Sequence, residues 1–397
     1  MYNKNIQKKK KEKKKGEKFM RLKIERDVLL KHLKMVEKAL PVRTPFPVLE
    51  GILLTVSEEK MLVRASDSDL TIEVTIPQVI DSKVVMTVEE EGAFVVFGKK
   101  FVELISKSKP GLISLTLTEK GLQIQSGRSK SILPGFQATD YPQLNVGDMP
   151  KSFEILPNDL SEIIRVVGPF TGSNESRPVL MGVNFVFGDG YLTTCATDSF
   201  RLSRHQVEME EVAETFNVVI PYKALKEAAK TIESETDKLI LKASMNQVLL
   251  QTSKATILMR LIDGIYPDTK QFVPETFQWE YCTDRKELIE ALERAALLSS
   301  DATNRVVKMV LKAGTNILLL TSLDKTLGDI EEELTLNQEV TSSLTVGAST
   351  TFLKDALNTL SSDTVSLKFN GDMSPFVIAE PDNKMSLRLI VPVRLMD

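Results

Sequence analysis

Three aspartates occupy the same place in a repeated phrase, and grouped carboxylates are candidates for general acid–base chemistry. Asp67, Asp198 and Asp324 lie in the phrases ASDSDLTI, ATDSFRLS and TSLDKTLGDI. Asp and Ser side chains also bond their own backbone in tight turns between strands, so we interpret these aspartates as turn-forming residues. A hydrolase that uses them is an alternative, and it predicts that Asp198→Asn abolishes turnover.

The other reactive side chains form no recognisable site. His32 and His205 lack metal-binding spacing, and the chain has no GxxxxGK[ST] phosphate loop. Cys195 and Cys282 are far apart in sequence, which excludes a disulfide scaffold and favours a reducing compartment. We therefore expect a non-catalytic protein that holds no cofactor and no metal.

The spacing of the aspartates points to an internal repeat. Asp198 lies 131 residues after Asp67, and Asp324 lies 126 residues after Asp198. Amphipathic helices, each predicted to start at an Asp or Asn cap, recur at the same two intervals. These helices cover residues 27–40, 158–167 and 284–298. Agreement between two landmarks indicates one domain repeated three times.

Each repeat continues in the same order after its first helix. Two strands, a second helix and further alternating strands follow, which predicts an α+β fold with helices on one face of antiparallel sheets. The second helices are predicted at residues 99–108, 222–232 and 351–360, and the strands at 49–56, 61–65, 113–117, 122–125, 182–187, 191–196, 306–311, 317–321, 365–369 and 377–379. Proline-containing segments place the domain boundaries near 149 and 278. The predicted domains are 20–149, 150–278 and 279–397.

Charge and hydrophobicity divide the chain into a short tail and an acidic body. The first nineteen residues hold nine Lys and two Glu and are predicted to be disordered. They are either an arm for nucleic acid or residues ahead of a natural start at Met20, and we favour the second. The body has 42 Lys and Arg against 52 Asp and Glu, a net charge of −10 that argues against tight phosphate binding.

The hydropathy pattern gives the expected compartment. With 42% hydrophobic residues the chain can build packed cores, yet it has neither an apolar run long enough for a membrane span nor the apolar region of a signal peptide. We therefore expect a cytoplasmic protein without a membrane partner.

The repeat and four ordered motifs resemble the bacterial DNA polymerase III beta subunit family, the sliding clamps. The motifs are RTPFPVL at 43–49, ATDSFRLS at 196–203, YPD at 266–268 and PVRLM at 392–396. The resemblance covers the chain from Met20 onward. It implies a head-to-tail homodimer of three domains per chain, closed into a ring with helices lining the hole and sheets outside.

The resemblance also implies the partners. These are double-stranded DNA, the catalytic subunit of the replicative DNA polymerase, the clamp-loader complex and other proteins with a clamp-binding motif. A protein held on DNA by topology needs only weak contacts from basic helix residues. The candidates are Lys31, Lys34, Lys38, Lys99, Lys100, Lys107, Lys223, Lys226, Lys230, Arg285 and Lys286. Arg43, Lys99 and Asn174 match the family's DNA-contacting positions, but Pro178 and Val179 replace its aromatic pair.

A cleft for partner peptides is implied between the second and third repeats. Apolar strand ends beside two arginines suit a short Gln- and Leu/Phe-containing segment bound with micromolar or weaker affinity. Ordinary core packing is the alternative for these residues. The matching positions are Arg177, Leu180, Thr197, Ser199, Phe200, Arg201, Leu202, Pro267, Phe272, Met373, Pro375, Leu389, Ile390, Val391, Pro392, Val393, Arg394 and Leu395. Deletion of residues 394–397 is expected to abolish partner binding.

The family's dimer seam implies a last group of residues. Basic residues of the first repeat would face an acidic run in the partner's third repeat, with leucines between them. The candidates are Lys100, Arg128, Leu133, Leu297, Leu298, Glu331, Glu332 and Glu333. A β-rich scaffold unrelated to DNA is the remaining alternative, and it predicts no retention on circular DNA.

Overall fold

The computed structural model describes residues 20–209, 215–233, 237–297, 306–324 and 328–395. The predicted disordered tail, Leu298 and Met396 lie outside these residues. The helices of the described residues are α1 Arg26–Val36, α2 Gly98–Lys107, α3 Pro157–Val167, α4 Tyr222–Ile232, α5 Arg285–Leu297 and α6 Thr350–Asn358.

The strands of the first repeat are β1 Arg21–Glu25, β2 Gly51–Val56, β3 Lys60–Ser66, β4 Leu70–Pro77, β5 Val79–Ile80, β6 Lys83–Val84, β7 Met86–Glu90, β8 Gly92–Phe97, β9 Leu112–Thr118, β10 Gly121–Ser126, β11 Ser129–Leu133 and β12 Gly135–Gln137. Those of the second are β13 Lys151–Ile155, β14 Gly182–Gly188, β15 Tyr191–Thr197, β16 Arg201–Glu208, β17 Phe216–Pro221, β18 Leu239–Ala243, β19 Gln247–Gln251 and β20 Ala255–Arg260. Those of the third are β21 Trp279–Asp284, β22 Val306–Leu311, β23 Ile317–Asp324, β24 Gly328–Thr335, β25 Leu344–Ser349, β26 Thr364–Phe369, β27 Phe376–Ala379 and β28 Ser386–Ile390.

The α+β fold with three repeats is confirmed. Each predicted helix and strand is present within a few residues of its expected bounds. The predicted helix caps are correct only in the third repeat, where the Asp284 carboxylate accepts the backbone N–H of Glu287 at 2.8 Å. Asp27 and Asn158 lie inside the first turns of α1 and α3. Pro157 takes the first position of α3, where its fixed φ suits a helix start.

Contacts divide the described chain into two compact units. The first consists of the residues up to Pro157 together with Lys223–Leu261, and the second of Asn158–Tyr222 with Ile262 onward. The second repeat therefore contributes to both units. Each unit contains one large antiparallel sheet that runs through parts of two repeats.

In the first unit, the large sheet has the order β12-β8-β2-β3-β4-β20-β19-β18-β13. The first repeat meets the second at the β4–β20 pairing, where Ile72 lies opposite Ile257. Both side chains are buried. A second sheet, β11-β10-β9-β1-β7, completes the first repeat and ends at β11.

In the second unit, the large sheet has the order β17-β14-β15-β16-β28-β27-β26-β21. The second repeat meets the third at the β16–β28 pairing, where Leu202 lies opposite Leu389. A further sheet, β24-β23-β22-β25, completes the third repeat and ends at β24. Along strands such as β4 of the first unit, buried and partly exposed residues alternate, so that one face of the sheet packs against the core.

Candidate functional site

The aspartate of the repeated phrase shapes the turn between two strands. The Asp198 Oδ1 atom accepts the backbone N–H groups of Phe200 at 3.0 Å and Arg201 at 3.1 Å. Ser199 between them has a φ of 83°. Asp67 builds the same turn in the first repeat, where it accepts the N–H of Leu70 at 2.7 Å. These two carboxylates are therefore turn-forming groups, as the sequence predicts.

The turn after Asp198 forms one wall of an apolar groove of about 220 Å³ in the second unit. Leu180, Leu202 and Leu389 are buried along it. Phe272 is 53% exposed at its rim. The groove is lined by Leu180, Thr197, Ser199, Arg201, Leu202, Pro267, Thr269, Phe272, Pro375, Leu389 and Val391. Its size and apolar lining suit two or three side chains of a bound peptide.

A hydrogen bond from the backbone fixes the strand that leads into the turn. The Tyr266 Oη atom accepts the N–H of Thr197 at 3.0 Å. Burial raises the pKa of Tyr266 above its usual range, so the phenol stays neutral. Below the turn, Cys195 is buried with Leu202 and Leu389. Burial raises the pKa of its thiol to about 11, which keeps it unreactive near neutral pH.

A polar depression of about 470 Å³ adjoins the groove at Leu180 and Ser199. Its lining includes Asn174, Arg177 and the exposed ring of Phe200. The Arg177 Nη1 atom donates to the Ser199 hydroxyl at 3.1 Å. Polar donors thus lie directly beside the apolar groove.

The predicted peptide-binding residues fall into three places. Ten of them line the groove, and Arg177 and Phe200 line the polar depression. The remainder lie outside both: Ile390 and Pro392 are buried, Met373 and Arg394 are exposed, and Val393 and Leu395 lie beside β25. Thr269 lines the groove but was not among the predicted residues. The signal was its place two residues after Pro267, in the YPDT segment.

The C-terminal segment crosses the third repeat after β28. Val391 donates its backbone N–H to Phe200 O at 2.9 Å, and Val393 donates to Gly347 O at 2.8 Å. A Cβ atom at Gly347 would overlap the carbonyl oxygen of Val393 and the Leu395 side chain. The tail is therefore attached on both sides of Pro392.

The guanidinium of Arg201 is engaged within the chain. Nε donates to Asp198 at 2.8 Å, Nη1 to Asp355 at 2.5 Å and Nη2 to Pro169 O at 2.9 Å. The Arg201 side chain is only 10% exposed. Arg177 is consequently the arginine beside the groove that faces solvent.

The predicted DNA-contacting residues are exposed in both units. Arg43 lies in the loop after α1, Lys99 in the first turn of α2, and Asn174 in the polar depression. Among the described residues, the candidate helix lysines that have no carboxylate within ion-pair distance include Lys31, Lys99, Lys223 and Lys226. Others are paired on their own helix, for example Lys230 with Glu227 at 2.9 Å.

The predicted seam residues lie at or near two sheet edges. Leu133 ends β11, Arg128 precedes it, and the three glutamates lie on β24. Glu332 is already bound within the chain, since Arg294 donates to its two oxygens at 2.6 and 2.7 Å. Lys100 lies on α2 beside Glu103, and Leu297 is exposed at the end of α5.

Comparison with known proteins gives one consistent family. Models of the N-terminal, central and C-terminal domains of the DNA polymerase III beta subunit match residues 20–145, 154–268 and 270–394. The beta sliding clamp of Staphylococcus aureus is 31% identical over 377 residues, which cover 95% of this chain and 100% of that protein. The relative from Staphylococcus epidermidis gives the same identity and coverage.

Solved structures lead to the same family. The DNA polymerase sliding clamp of Bacillus subtilis superposes with a TM-score of 0.90 at 30% identity, covering 95% of this chain and all of that one. The DNA polymerase III beta chain of Streptococcus pneumoniae has the same TM-score and coverage at 26% identity. The chain therefore belongs to the DNA polymerase III beta subunit family, and its function is that of a DNA sliding clamp, the processivity factor of bacterial replication.

Proposed function

We propose that two copies of this chain close head to tail into a ring around duplex DNA, and that the groove binds short peptide segments of the proteins the ring tethers. The partners are the replicative polymerase, the clamp loader and other proteins with such a segment. The protein is non-catalytic and cytoplasmic, and its three domains are 20–149, 150–278 and 279–397. The proposal of ring closure rests on two strands at sheet edges, each of which has one edge without a strand partner.

Within the chain, consecutive repeats join through equivalent strands. β4 pairs with β20 and β16 pairs with β28. The equivalent strand of the third repeat is β24, which follows β23 as β4 follows β3. The equivalent of β20 and β28 in the first repeat is β11. In the described chain β24 and β11 each have a single strand neighbour, so their outer edges are open.

A second copy can satisfy both open edges at once. β24 of one chain would pair with β11 of its partner, and the reverse pairing would close the ring. Such a closed two-fold assembly covers both of these edges, whereas an exposed strand edge can pair with other chains and cause aggregation.

The internal joints predict the register of this pairing. At these joints Ile257 lies opposite Ile72, and Arg388 lies opposite Ser203. Ser131 is the first repeat's equivalent of Ile257 and Arg388. Each of the three lies opposite an equivalent buried residue on the preceding strand: Ser131 opposite Ile124, Ile257 opposite Leu250, and Arg388 opposite Ile378. Ile330 is likewise the third repeat's equivalent of Ile72 and Ser203. Ile330 lies opposite Ser322, Ile72 opposite Ala65, and Ser203 opposite Ala196, and these three partners are equivalent. Ser131 should therefore lie opposite Ile330 of the partner.

This register brings opposite charges together. In an antiparallel pair that sets Ser131 against Ile330, Lys130 lies opposite Glu331 and Arg128 opposite Glu333. Directly opposed unlike charges stabilise a strand pair by about 0.2–1 kcal/mol each. Glu332 points to the other face, where Arg294 binds it. The seam therefore uses Lys130, which was not among the sequence candidates.

DNA contact follows from the exposed cations of the helices. We assign weak phosphate contacts to Lys31, Lys99, Lys223 and Lys226, together with Arg43 and Asn174. Because the body carries a net charge of −10, these contacts remain few and permit sliding.

The groove's chemistry defines its ligand. Apolar anchors would fill the space between Leu180, Leu202 and Leu389, and the peptide's polar groups would reach the donors of Arg177 and Ser199. Two or three anchors at about 2 kcal/mol each, less the cost of ordering the peptide, give micromolar or weaker binding. That affinity suits partners that exchange on one clamp.

The decisive experiment loads the protein onto nicked circular DNA with a clamp loader. The expected result is retention on the circle at high salt and release after linearisation, together with a dimer mass by light scattering. Equal loss from circular and linear DNA, or a strict monomer at micromolar concentration, would contradict the ring.

A further inference from the structure

Arg201 joins three segments of the second unit around its guanidinium. Asp198 belongs to the turn of the groove wall, Pro169 to the 3-10 turn Gly168–Phe170 after α3, and Asp355 to α6. The guanidinium carbon also lies 5.2 Å from the ring centre of Phe170 and 4.5 Å from that of Phe352. A nearly buried cation is thus held by two carboxylates, a carbonyl and two aromatic rings.

The equivalent joint in the first unit has no such arrangement. Leu70 occupies the place of Arg201, because it is the third residue after Asp67 as Arg201 is the third after Asp198. Ala39 ends the 3-10 turn after α1 as Phe170 ends the one after α3. Ala224 is the third residue of α4, as Phe352 is of α6. Leu70, Ala39 and Ala224 are all buried and apolar.

The acidic partner is also used differently at the first joint. Glu227 occupies in α4 the place that Asp355 occupies in α6, six residues after the preceding strand ends. Glu227 accepts a hydrogen bond from Lys230 of its own helix at 2.9 Å and makes no bond to β4 among the described residues. Of the two joints within the chain, the one beside the groove therefore has an arginine–aspartate link between a turn and a helix, and the described residues of the other do not.

We propose that Arg201 and Asp355 are positioning residues that hold the 197–201 turn against α6 and so set the shape of the groove. This inference rests on the proposed function of the groove as a peptide site. Arg201 lines the groove, and its guanidinium is bound by Asp198, Asp355 and the Pro169 carbonyl. Asp355, which lines neither the groove nor the depression, thereby controls peptide affinity from a distance.

The physical reason is the cost of leaving a buried cation half paired. Without Asp355, Nη1 of Arg201 loses its carboxylate, although the Arg201 side chain is only 10% exposed. The side chain then shifts toward solvent or toward Asp198. Since Asp198 also holds the N–H groups of Phe200 and Arg201, the turn moves with it. Thr197 and Ser199, which line the groove, move as well.

The test compares Asp355→Ala with Lys354→Ala in the full-length dimer. Lys354 is the matched control because it forms an ion pair between α6 and α5, with Glu293 at 2.8 Å, that does not reach the groove. The probe is a fluorescein-labelled synthetic peptide with a Gln followed by Leu and Phe. We expect Asp355→Ala to weaken its binding by about tenfold and Lys354→Ala to leave it unchanged.

Hydrogen exchange separates positioning from general instability. Amides of 197–202 should exchange faster in Asp355→Ala, while amides of β26 and β27 remain as protected as in the wild type. If the alanine variant unfolds, Asp355→Asn keeps the side chain's shape and one acceptor, and binding should fall by a smaller factor. Unchanged affinity and exchange in a folded Asp355 variant would overturn the proposal.

A groove variant distinguishes this failure from failure of the proposed function. Phe272→Ala removes a rim contact and should weaken the peptide if the groove is its site. Weakening by Phe272→Ala but not by Asp355→Ala overturns only the role of Asp355. If the wild-type protein does not bind the peptide, both the proposed function of the groove and the role of Asp355 are overturned.

Discussion

The backbone N–H of Thr197 donates to the phenolic oxygen of Tyr266 at 3.0 Å, and this bond ties the groove wall to the segment that forms its opposite side. Thr197 ends β15, while Tyr266 immediately precedes Pro267 in the groove. Tyr141 holds the corresponding place in the first repeat, where its hydroxyl donates to Gly51 O at 3.4 Å. A buried tyrosine therefore holds the corresponding place in both repeats, and in the second repeat it fixes the wall of the groove.

Tyr266→Phe should weaken both folding and peptide binding. The substitution leaves a buried N–H without its acceptor, at a cost of about 1–3 kcal/mol in unfolding free energy. Denaturant titration and peptide anisotropy would measure the two effects. Tyr141→Phe is the control, because it removes the corresponding phenol in the first repeat, does not touch this groove and should leave peptide affinity unchanged. Equal peptide affinity in both variants would contradict the role of Tyr266.

Stability should fall in mild acid because of His205. Burial lowers the pKa of His205 below 6.5, while its Nδ1 lies 2.6 Å from the Ser386 hydroxyl. The unfolded chain then binds a proton more readily than the folded one, so this stability is complete above pH 6.5 and is lost as the pH falls toward the lowered folded pKa.

His205→Gln should reduce the loss of unfolding free energy that accompanies the fall in pH. Urea midpoints of the wild type and the variant, measured from pH 7.5 to pH 5, would show this reduction. A difference between the two midpoints that does not change with pH would contradict the assignment to His205. His32 provides a second group of the same sign, because burial also lowers its pKa. His205→Gln should therefore reduce the pH dependence without removing it.

The sequence predicted the repeat, because its determinants are local. Turn chemistry at Asp198 and the apolar faces of the helices are visible in residue types and spacing. The pairing between repeats depends instead on contacts over long sequence distances. The family resemblance placed Leu202 and Leu389 in one cleft, but the residue types alone did not show that the two lie opposite each other.

At the place of the groove, the two internal joints differ in a few side chains. Where the second repeat has Cys195, the first has Arg64, whose Nε donates to Glu73 at 2.7 Å. An ion pair thus occupies the surface that is apolar at the other joint. The types of these residues are plain from the sequence, but their alignment at equivalent joints requires the strand register.

The proposed seam predicts a charge-swap rescue. Arg128→Glu with Lys130→Glu should break the dimer, since both residues would then oppose glutamates of the partner. Glu331→Lys with Glu333→Lys should do the same. Mixing the two doubly substituted chains should restore a heterodimer, because one seam then has swapped charges and the other is native.

Light scattering and native mass spectrometry would follow the assembly. Glu332→Gln is the matched control, as its carboxylate is bound by Arg294 of its own chain, and the variant should remain dimeric. A monomeric Glu332→Gln, or a mixture that fails to associate, would show that the strands pair in another register.

Gly347→Ala should detach the C-terminal segment and thereby impair the groove. An added Cβ would overlap Val393 O and Leu395, and Val393 donates its N–H to Gly347 itself. Because Val391 lines the groove two residues earlier, we expect peptide affinity to fall by about tenfold, comparable to the loss of one apolar anchor. Gly147→Ala is the control, since a Cβ there meets no atom within 4 Å. Full peptide affinity in Gly347→Ala would show that the tail beyond Val391 does not support the groove, and truncation after Val391 should then be equally harmless.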